Sequence, residues 1–129
     1  MGRTENIPDC PCCTPPCPGN CSGCPATLTL TLNGTGGTCN DQSILTVSKV
    51  GCVWTYSGFG LSCCLWINVD IECSNGLWYI SVEFPTCYGA LNGLYQGNIG
   101  SGSCPPFGTW DLPKIEGTCD EPLNVTLGA

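Results

Sequence analysis

The chain has 129 residues, of which 14 are cysteine and none is histidine, and its formal net charge is −7. This length fits one domain, and 3 basic residues against 10 acidic ones make nucleic acid and an anionic membrane surface unexpected partners. Without histidine the chain cannot form Ser-His or Cys-His nucleophile pairs, so we expect that it is not an enzyme.

Residues 1–25 form a predicted arm whose composition differs from the rest of the chain. They contain six cysteines and six prolines and show no apolar periodicity, so we expect an irregular segment that is extended where proline enforces it. Residues 1–8 lack the apolar stretch of a secretion leader. Since dense disulfides belong to oxidising compartments, three explanations are open: the cysteines bind metal, the host is a thermophile with an oxidised interior, or the protein belongs to a particle that leaves the cell by lysis. The third needs no leader and permits late oxidation.

Residues 26–129 show apolar residues with a period of two, which predicts one β-domain. Residues 27–32 alternate strictly between threonine and leucine, the pattern of a half-buried strand. Further strands are predicted at residues 43–49, 52–57, 107–112 and 123–127, with others in the glycine-rich stretch beyond Cys87. No stretch keeps a helical period. We therefore predict an all-β fold, an antiparallel β-sandwich or squat barrel of about seven or eight short strands stapled by disulfides.

The clearest local signal is a hairpin predicted for residues 63–84. Asn75-Gly76 is the preferred pair for a two-residue type I′ turn. This turn pairs Cys73 with Trp78, Ile71 with Ile80, Val69 with Val82 and Ile67 with Phe84 on the apolar face, and Glu72 with Tyr79 and Asp70 with Ser81 on the polar face. Because a slip of one residue would put apolar residues opposite polar ones, the register is well defined.

All 14 cysteines are candidates for disulfide bonds, because a modest core with glycine-rich loops needs crosslinks. They are Cys10, Cys12, Cys13, Cys17, Cys21, Cys24, Cys39, Cys52, Cys63, Cys64, Cys73, Cys87, Cys104 and Cys119. Arm and body cysteines could pair separately, and Cys104 with Cys119 could close a loop. The alternative for the arm is one zinc ion, held by the CxxC pairs Cys10, Cys13, Cys21 and Cys24. Otherwise we expect no cofactor.

Trp66 and Tyr79 fall on the polar side of the hairpin and form a candidate binding face, because flat rings stack on sugars or fill a partner's pocket. Alternatively, this face packs against a second chain or under the arm. Two carboxylates suffice for a glycosidase, and the plausible ones are Asp70, Glu72, Glu83 and Asp111. Three of them lie on the solvent face of the hairpin, where carboxylates keep a sheet soluble. We therefore predict no catalytic and no metal-binding residue.

The order of motifs along the chain has a counterpart in other sequences. After a cysteine-rich opening and a Leu/Thr strand come Cys52-Val53-Trp54, a stretch from Cys63 to Cys73, Leu77-Trp78, Cys104-Pro105-Pro106-Phe107, and Cys119 before Val125-Thr126. Over residues 10–127 this layout resembles small cysteine-rich β-domains seen in planctomycete and tailed-phage sequences. The resemblance implies no activity and no site residues, and it favours a virion or cell-surface role.

These features together predict a non-enzymatic structural protein of a virion, that is, a capsid-decorating, head-fibre or tail-associated module that docks through its N-terminal arm. The expected partners are other structural subunits, in a homo-oligomer or a larger assembly. The alternative is an adhesin or carbohydrate-binding β-domain that is extracellular or on the cell surface and binds a glycan.

Overall fold

The structure, a computed structural model, describes residues 17–33, 43–58, 64–87, 93–116 and 122–129. In these residues the strands are β1 (Thr27–Leu32), β2 (Ser43–Val50), β3 (Val53–Gly58), β4 (Cys64–Ser74), β5 (Leu77–Cys87), β6 (Gly93–Gly100), β7 (Gly108–Leu112), β8 (Lys114–Glu116) and β9 (Leu123–Gly128). The predicted all-β antiparallel fold is confirmed. No helix in this part of the chain is long and apolar enough to span a membrane.

The nine strands form one antiparallel sheet in the order β7-β9-β1-β2-β3-β4-β5-β6-β8. The edge strands β7 and β8 are separated only by Pro113, so the chain passes directly from one edge of the sheet to the other. Beside this crossing, the backbone N–H of Gln96 donates to the carbonyl oxygen of Pro113 (3.1 Å). The sheet therefore curls into a nearly closed barrel, which is the squat-barrel form of the predicted fold.

The number of strands exceeds the prediction because β8 was not predicted. It contains three residues that follow a proline, which is too short a run to show a period of two. β8 pairs with β6, while β7 pairs with β9. The bend at Pro113 thus divides one continuous stretch between the two edges of the sheet.

Alternate residues of the strands point inward and fill the interior. The three leucines of β1 are at most 1% exposed, as the threonine-leucine alternation predicts. Trp54 and Trp78 meet edge to face with their ring centroids 5.8 Å apart, and Phe84 and Tyr95 meet in the same way at 5.8 Å. Because all four rings are fully buried, side chains occupy this part of the interior.

The hairpin of β4 and β5 pairs in the predicted register near its turn. Ile71 lies opposite Ile80, and the pairs Cys73 with Trp78, Glu72 with Tyr79, Asp70 with Ser81 and Val69 with Val82 are also present. Asn75 and Gly76 have φ angles of 54° and 81°. These left-handed values are those of a type I′ turn, so the Asn-Gly prediction is confirmed.

The register is irregular farther from the turn. Beyond the pair Asn68 and Glu83 it shifts by one residue, and it shifts back on the other side of Trp66. Ile67 and Phe84, which the simple register pairs, lie at this irregularity and are fully buried. A β-bulge increases the local twist and re-aims the side chains around it. Trp66 therefore lies within the irregular part of the β4–β5 register.

Residues 17–25, the described part of the predicted arm, cover one end of the barrel together with Ala26, and we call residues 17–26 the cap. Three disulfide bonds join it to the body, and they link Cys17 to Cys73, Cys21 to Cys52, and Cys24 to Cys104. The three body cysteines lie at the end of β4, in the β2–β3 turn and in the β6–β7 loop. Because consecutive strands are antiparallel, these positions share one end of the barrel, and the cap crosslinks all of them.

Candidate functional site

The ammonium group of Lys49 in the barrel also holds the cap. This residue lies on the inward-facing side of β2, in phase with the buried Val47. Its Nζ donates to the carbonyl oxygens of Cys21 (2.7 Å) and Cys24 (3.1 Å) and lies 6.0 Å from the centroid of the Trp54 ring. Hydrogen bonds from a charged donor are stronger than neutral ones, so Lys49 stabilises the contact between the cap and the barrel.

The two buried tryptophans hold the same end of the barrel through their indole N–H groups. Nε1 of Trp54 donates to the carbonyl oxygen of Pro25 in the cap (3.0 Å), and Nε1 of Trp78 donates to that of Gly102 in the β6–β7 loop (2.9 Å). A buried indole N–H without an acceptor would be destabilising. The cap and the loop are therefore part of the packing of the core.

A shallow groove of about 580 Å³ opens beside Lys49. It is lined by residues 18–22 of the cap, Lys49 and the residues Gly51 and Cys52 of the β2–β3 turn. No carboxylate lines it, and its ammonium group already donates to two carbonyl oxygens. The groove therefore offers a concave shape without a group that could act as a base.

The observed disulfides correct two expectations about the cysteines. All three bonds join the arm to the body, so separate pairing within each part is excluded for these six cysteines. The loop closure proposed for Cys104 and Cys119 is wrong, because Cys104 bonds to Cys24. The sequence could not indicate this, since it gives no sign that the β6–β7 loop lies against the cap.

The zinc alternative loses two of its four ligands in this structure. Cys21 and Cys24 are disulfide-bonded, so neither has a thiolate to offer a metal ion. Among the described residues there is no group of three or more cysteine or acidic side chains that could hold a metal.

Cys64 and Cys87 lie opposite each other in the backbone register of β4 and β5. The other candidates, Cys10, Cys12, Cys13, Cys39, Cys63 and Cys119, lie outside the described residues.

Both aromatic residues of the predicted binding face lie on the outer surface of the sheet. Trp66 is 38% exposed, whereas Trp54 and Trp78 are fully buried. Tyr79 is half-buried and lies opposite Glu72. Along β4, Trp66 and Glu72 are about 20 Å apart at the usual rise of a strand. The two rings therefore share one face of the sheet but lie near its opposite ends.

Two polar side chains hold the indole of Trp66, and a third supports one of them. Its Nε1 donates to Oδ1 of Asn68 (2.9 Å) and to Oγ of Ser57 (3.3 Å). Ser57 also hydrogen bonds to Asn68, whose Nδ2 donates to Oε1 of Glu83 (3.4 Å). Ser57 and Asn68 were not predicted as site residues, because their contact depends on the pairing of β3 with β4. The hydrogen bonds restrict the rotation of an exposed indole ring.

Comparisons with known proteins do not place this arrangement in a family. No family model, curated protein or solved structure matches the chain.

The four candidate carboxylates do not converge on one site. Asp70, Glu72 and Glu83 are exposed on the outer surface of β4 and β5. Asp111 lies in β7, at the edge of the sheet, where its Oδ1 accepts a hydrogen bond from Nδ2 of Asn124 (2.7 Å). The three carboxylates on the open sheet surface can accept hydrogen bonds from a ligand, and the nearby indole ring can stack against it.

Proposed function

We propose that this protein is a non-enzymatic structural component of a virion, a capsid-decorating, head-fibre or tail-associated module that attaches through its N-terminal arm. The observation that carries the proposal is the covalent attachment of the arm. Cys17, the first described residue of the arm, is bonded to Cys73 at the end of the central hairpin. A load applied to residues before Cys17 therefore passes into the hairpin through a covalent bond.

The packing of the barrel supports a passive structural role. The interior contains four fully buried aromatic rings and the leucines of β1. In small barrels the interior is either filled by side chains or holds one small ligand. The first arrangement applies here, which favours a rigid module over a carrier of a small molecule.

The disulfides support a location outside the reducing cytosol. Disulfide bonds persist on virion and cell surfaces, and in most organisms cytosolic thiols stay reduced. A net charge of −7 opposes non-specific association between free copies, so assembly on a particle requires specific contacts. The proposed partners are other structural subunits of the particle, including further copies of this chain.

The attachment can be tested by deleting residues 1–16 while keeping Cys17. We expect the truncated protein to fold and to keep the three cap disulfides, because all six of their cysteines are retained. It should no longer co-sediment with particles from which the native protein has been removed, whereas the full chain should rebind. Rebinding by the truncated protein would contradict attachment through the arm. If antibodies against the chain do not label purified particles, the virion role is contradicted.

A second candidate function is an extracellular adhesin or carbohydrate-binding domain. The specific observation that favours it is Trp66, an exposed indole held in place by Asn68 and Ser57 on a polar surface. An exposed aromatic side chain of this kind is common in binding surfaces. Saturable retention of the full chain on a glycan array is the expected result, and no retention on any glycan would remove this candidate.

A further inference from the structure

Polar side chains connect Trp66 to Tyr79 along the outer surface of the sheet. The backbone register places them in successive rows across β4, β5 and β6, and the rows are Asn68 with Glu83, Asp70 with Ser81 and Gln96, and Glu72 with Tyr79 and Asn98. Nε2 of Gln96 donates to Oγ of Ser81 (2.8 Å), so the middle row is itself hydrogen-bonded. We call these rows, together with Trp66, the polar track.

The polar track lies on central strands, and this limits the partners that fit it. β4 lies between β3 and β5, and β5 lies between β4 and β6, so each has a hydrogen-bonded neighbour on both sides. A peptide that binds by adding a strand needs a free sheet edge, which these strands do not have. A partner of the polar track must therefore bind through side chains.

The charge of the polar track restricts its ligand further. Asp70, Glu72 and Glu83 are exposed there. Of the two lysines in the described residues, Lys49 lies under the cap and Lys114 lies 5.1 Å from the centroid of the Tyr95 ring. The carboxylates repel an anionic ligand and accept hydrogen bonds from hydroxyl groups.

We propose that the polar track binds a linear, uncharged oligosaccharide. The indole of Trp66 packs against the C–H face of one sugar ring, while the carboxylates and amides of the next rows accept and donate hydrogen bonds to hydroxyl groups. Tyr79 contacts a second sugar about 20 Å farther along the strands. The length of the track requires a chain of several sugars. This inference rests on the second candidate function and assigns its site and its ligand class.

Trp66 is suited to this role because its geometry is fixed before binding. Its Nε1 donates to Asn68 and Ser57 of the same sheet, so little rotational freedom is lost when a sugar stacks on the ring. Removing an aromatic side chain that anchors an interface typically weakens binding by about tenfold or more. Trp66→Ala should show a loss of this size, and Trp66→Phe, which keeps a ring without the indole N–H, should lose less.

The experiment measures retention of the full chain on immobilised cellulose, xylan, mannan, β-glucan and chitin, with polygalacturonate as an acidic comparison. Phe107→Ala is the matched control, because Phe107 is 54% exposed in the β6–β7 loop at the capped end. Melting temperatures establish that each variant is folded. We expect at least one neutral polysaccharide to retain the wild-type chain and the Phe107→Ala variant equally, and to retain Trp66→Ala at least about tenfold more weakly.

The length of the bound chain is tested with soluble oligosaccharides from the polysaccharide that is retained. Trp66→Ala should weaken binding of both a disaccharide and a hexasaccharide, whereas Tyr79→Ala should weaken only the hexasaccharide. Equal losses on both sugars for the two variants would overturn the extended site.

The remaining outcomes separate the site from the function. If a neutral polysaccharide retains the chain and Trp66→Ala binds as well as the wild type, the site is wrong while the carbohydrate-binding function stands. If no polysaccharide retains the wild-type chain, both are overturned. Stronger retention on polygalacturonate than on every neutral polysaccharide would overturn the charge argument.

Discussion

Removing the disulfide between Cys24 and Cys104 measures how much this bond between the cap and the β6–β7 loop contributes to the free energy of unfolding. The two cysteines are 80 residues apart in sequence. In the chain-entropy model, a crosslink that closes a loop of this length stabilises the folded protein by about 4.5 kcal/mol at 25 °C. The bond between Cys17 and Cys73 already shortens the path between them in the unfolded chain. The effective loop then has roughly 40 residues, and the expected loss is about 4 kcal/mol.

The assay is guanidinium unfolding of the double variant Cys24→Ala with Cys104→Ala, followed by the fluorescence of the buried tryptophans. We expect the free energy of unfolding to fall by about 3–4 kcal/mol without a change in the packing of the barrel. After reduction of all disulfides, the wild type and the variant should differ by less than about 1 kcal/mol, because neither chain is then crosslinked. A difference below about 1 kcal/mol in the oxidised proteins, or one that survives reduction, would refute the reasoning.

Further predictions concern the core, the cap and the hairpin turn. Val69→Asp should prevent folding, because it buries an unpaired charge at a cost of several kcal/mol, whereas Thr46→Asp on the exposed side of β2 should give wild-type yield and melting temperature. Lys49→Met should lower the free energy of unfolding by about 3 kcal/mol in urea, because two cap carbonyl groups lose a charged donor; an unchanged midpoint would contradict this. Gly76→Ala should cost about 1–2 kcal/mol because φ is 81°, whereas Gly19→Ala, with open space around it, should be neutral. Alkylation without reduction should label at most eight of the 14 cysteines, as measured by intact mass, since six form the cap disulfides.

The two proposed roles use different parts of the molecule. Attachment through the arm involves the capped end, where the disulfides fix residues 17–26 to the barrel. Glycan binding involves the outer surface of β4 and β5, along the side of the barrel. Tyr79 lies beside the pair of Cys73 and Trp78 at the capped end, whereas Trp66 lies at the opposite end of the polar track. A protein attached by its capped end would therefore leave Trp66 accessible, so stacking of a sugar on this ring is compatible with attachment through the arm.

The hairpin illustrates what could be predicted from the sequence. Asn75-Gly76 favours one turn type, and alternation of apolar residues on both sides allows one register. Both signals are local, since they depend on residues that are near each other in the chain. The irregularity at Trp66 was not predictable, because the sequence pattern on either side of it continues with a period of two.

Local patterns in the sequence were enough to predict the all-β class, the strand faces, the Asn-Gly hairpin and the placement of Trp66 and Tyr79 on the polar side. These features follow from the two-residue period of a strand and from the backbone preferences of single residues. Three features became visible only in the folded barrel: the closure of the sheet at Pro113, the pairing of Cys24 with Cys104, and the contact of Ser57 with Trp66. Each of these features depends on segments that are distant in the chain or on the register between strands. The relative placement of such segments is set by the packing of the whole barrel, and no local pattern specifies it.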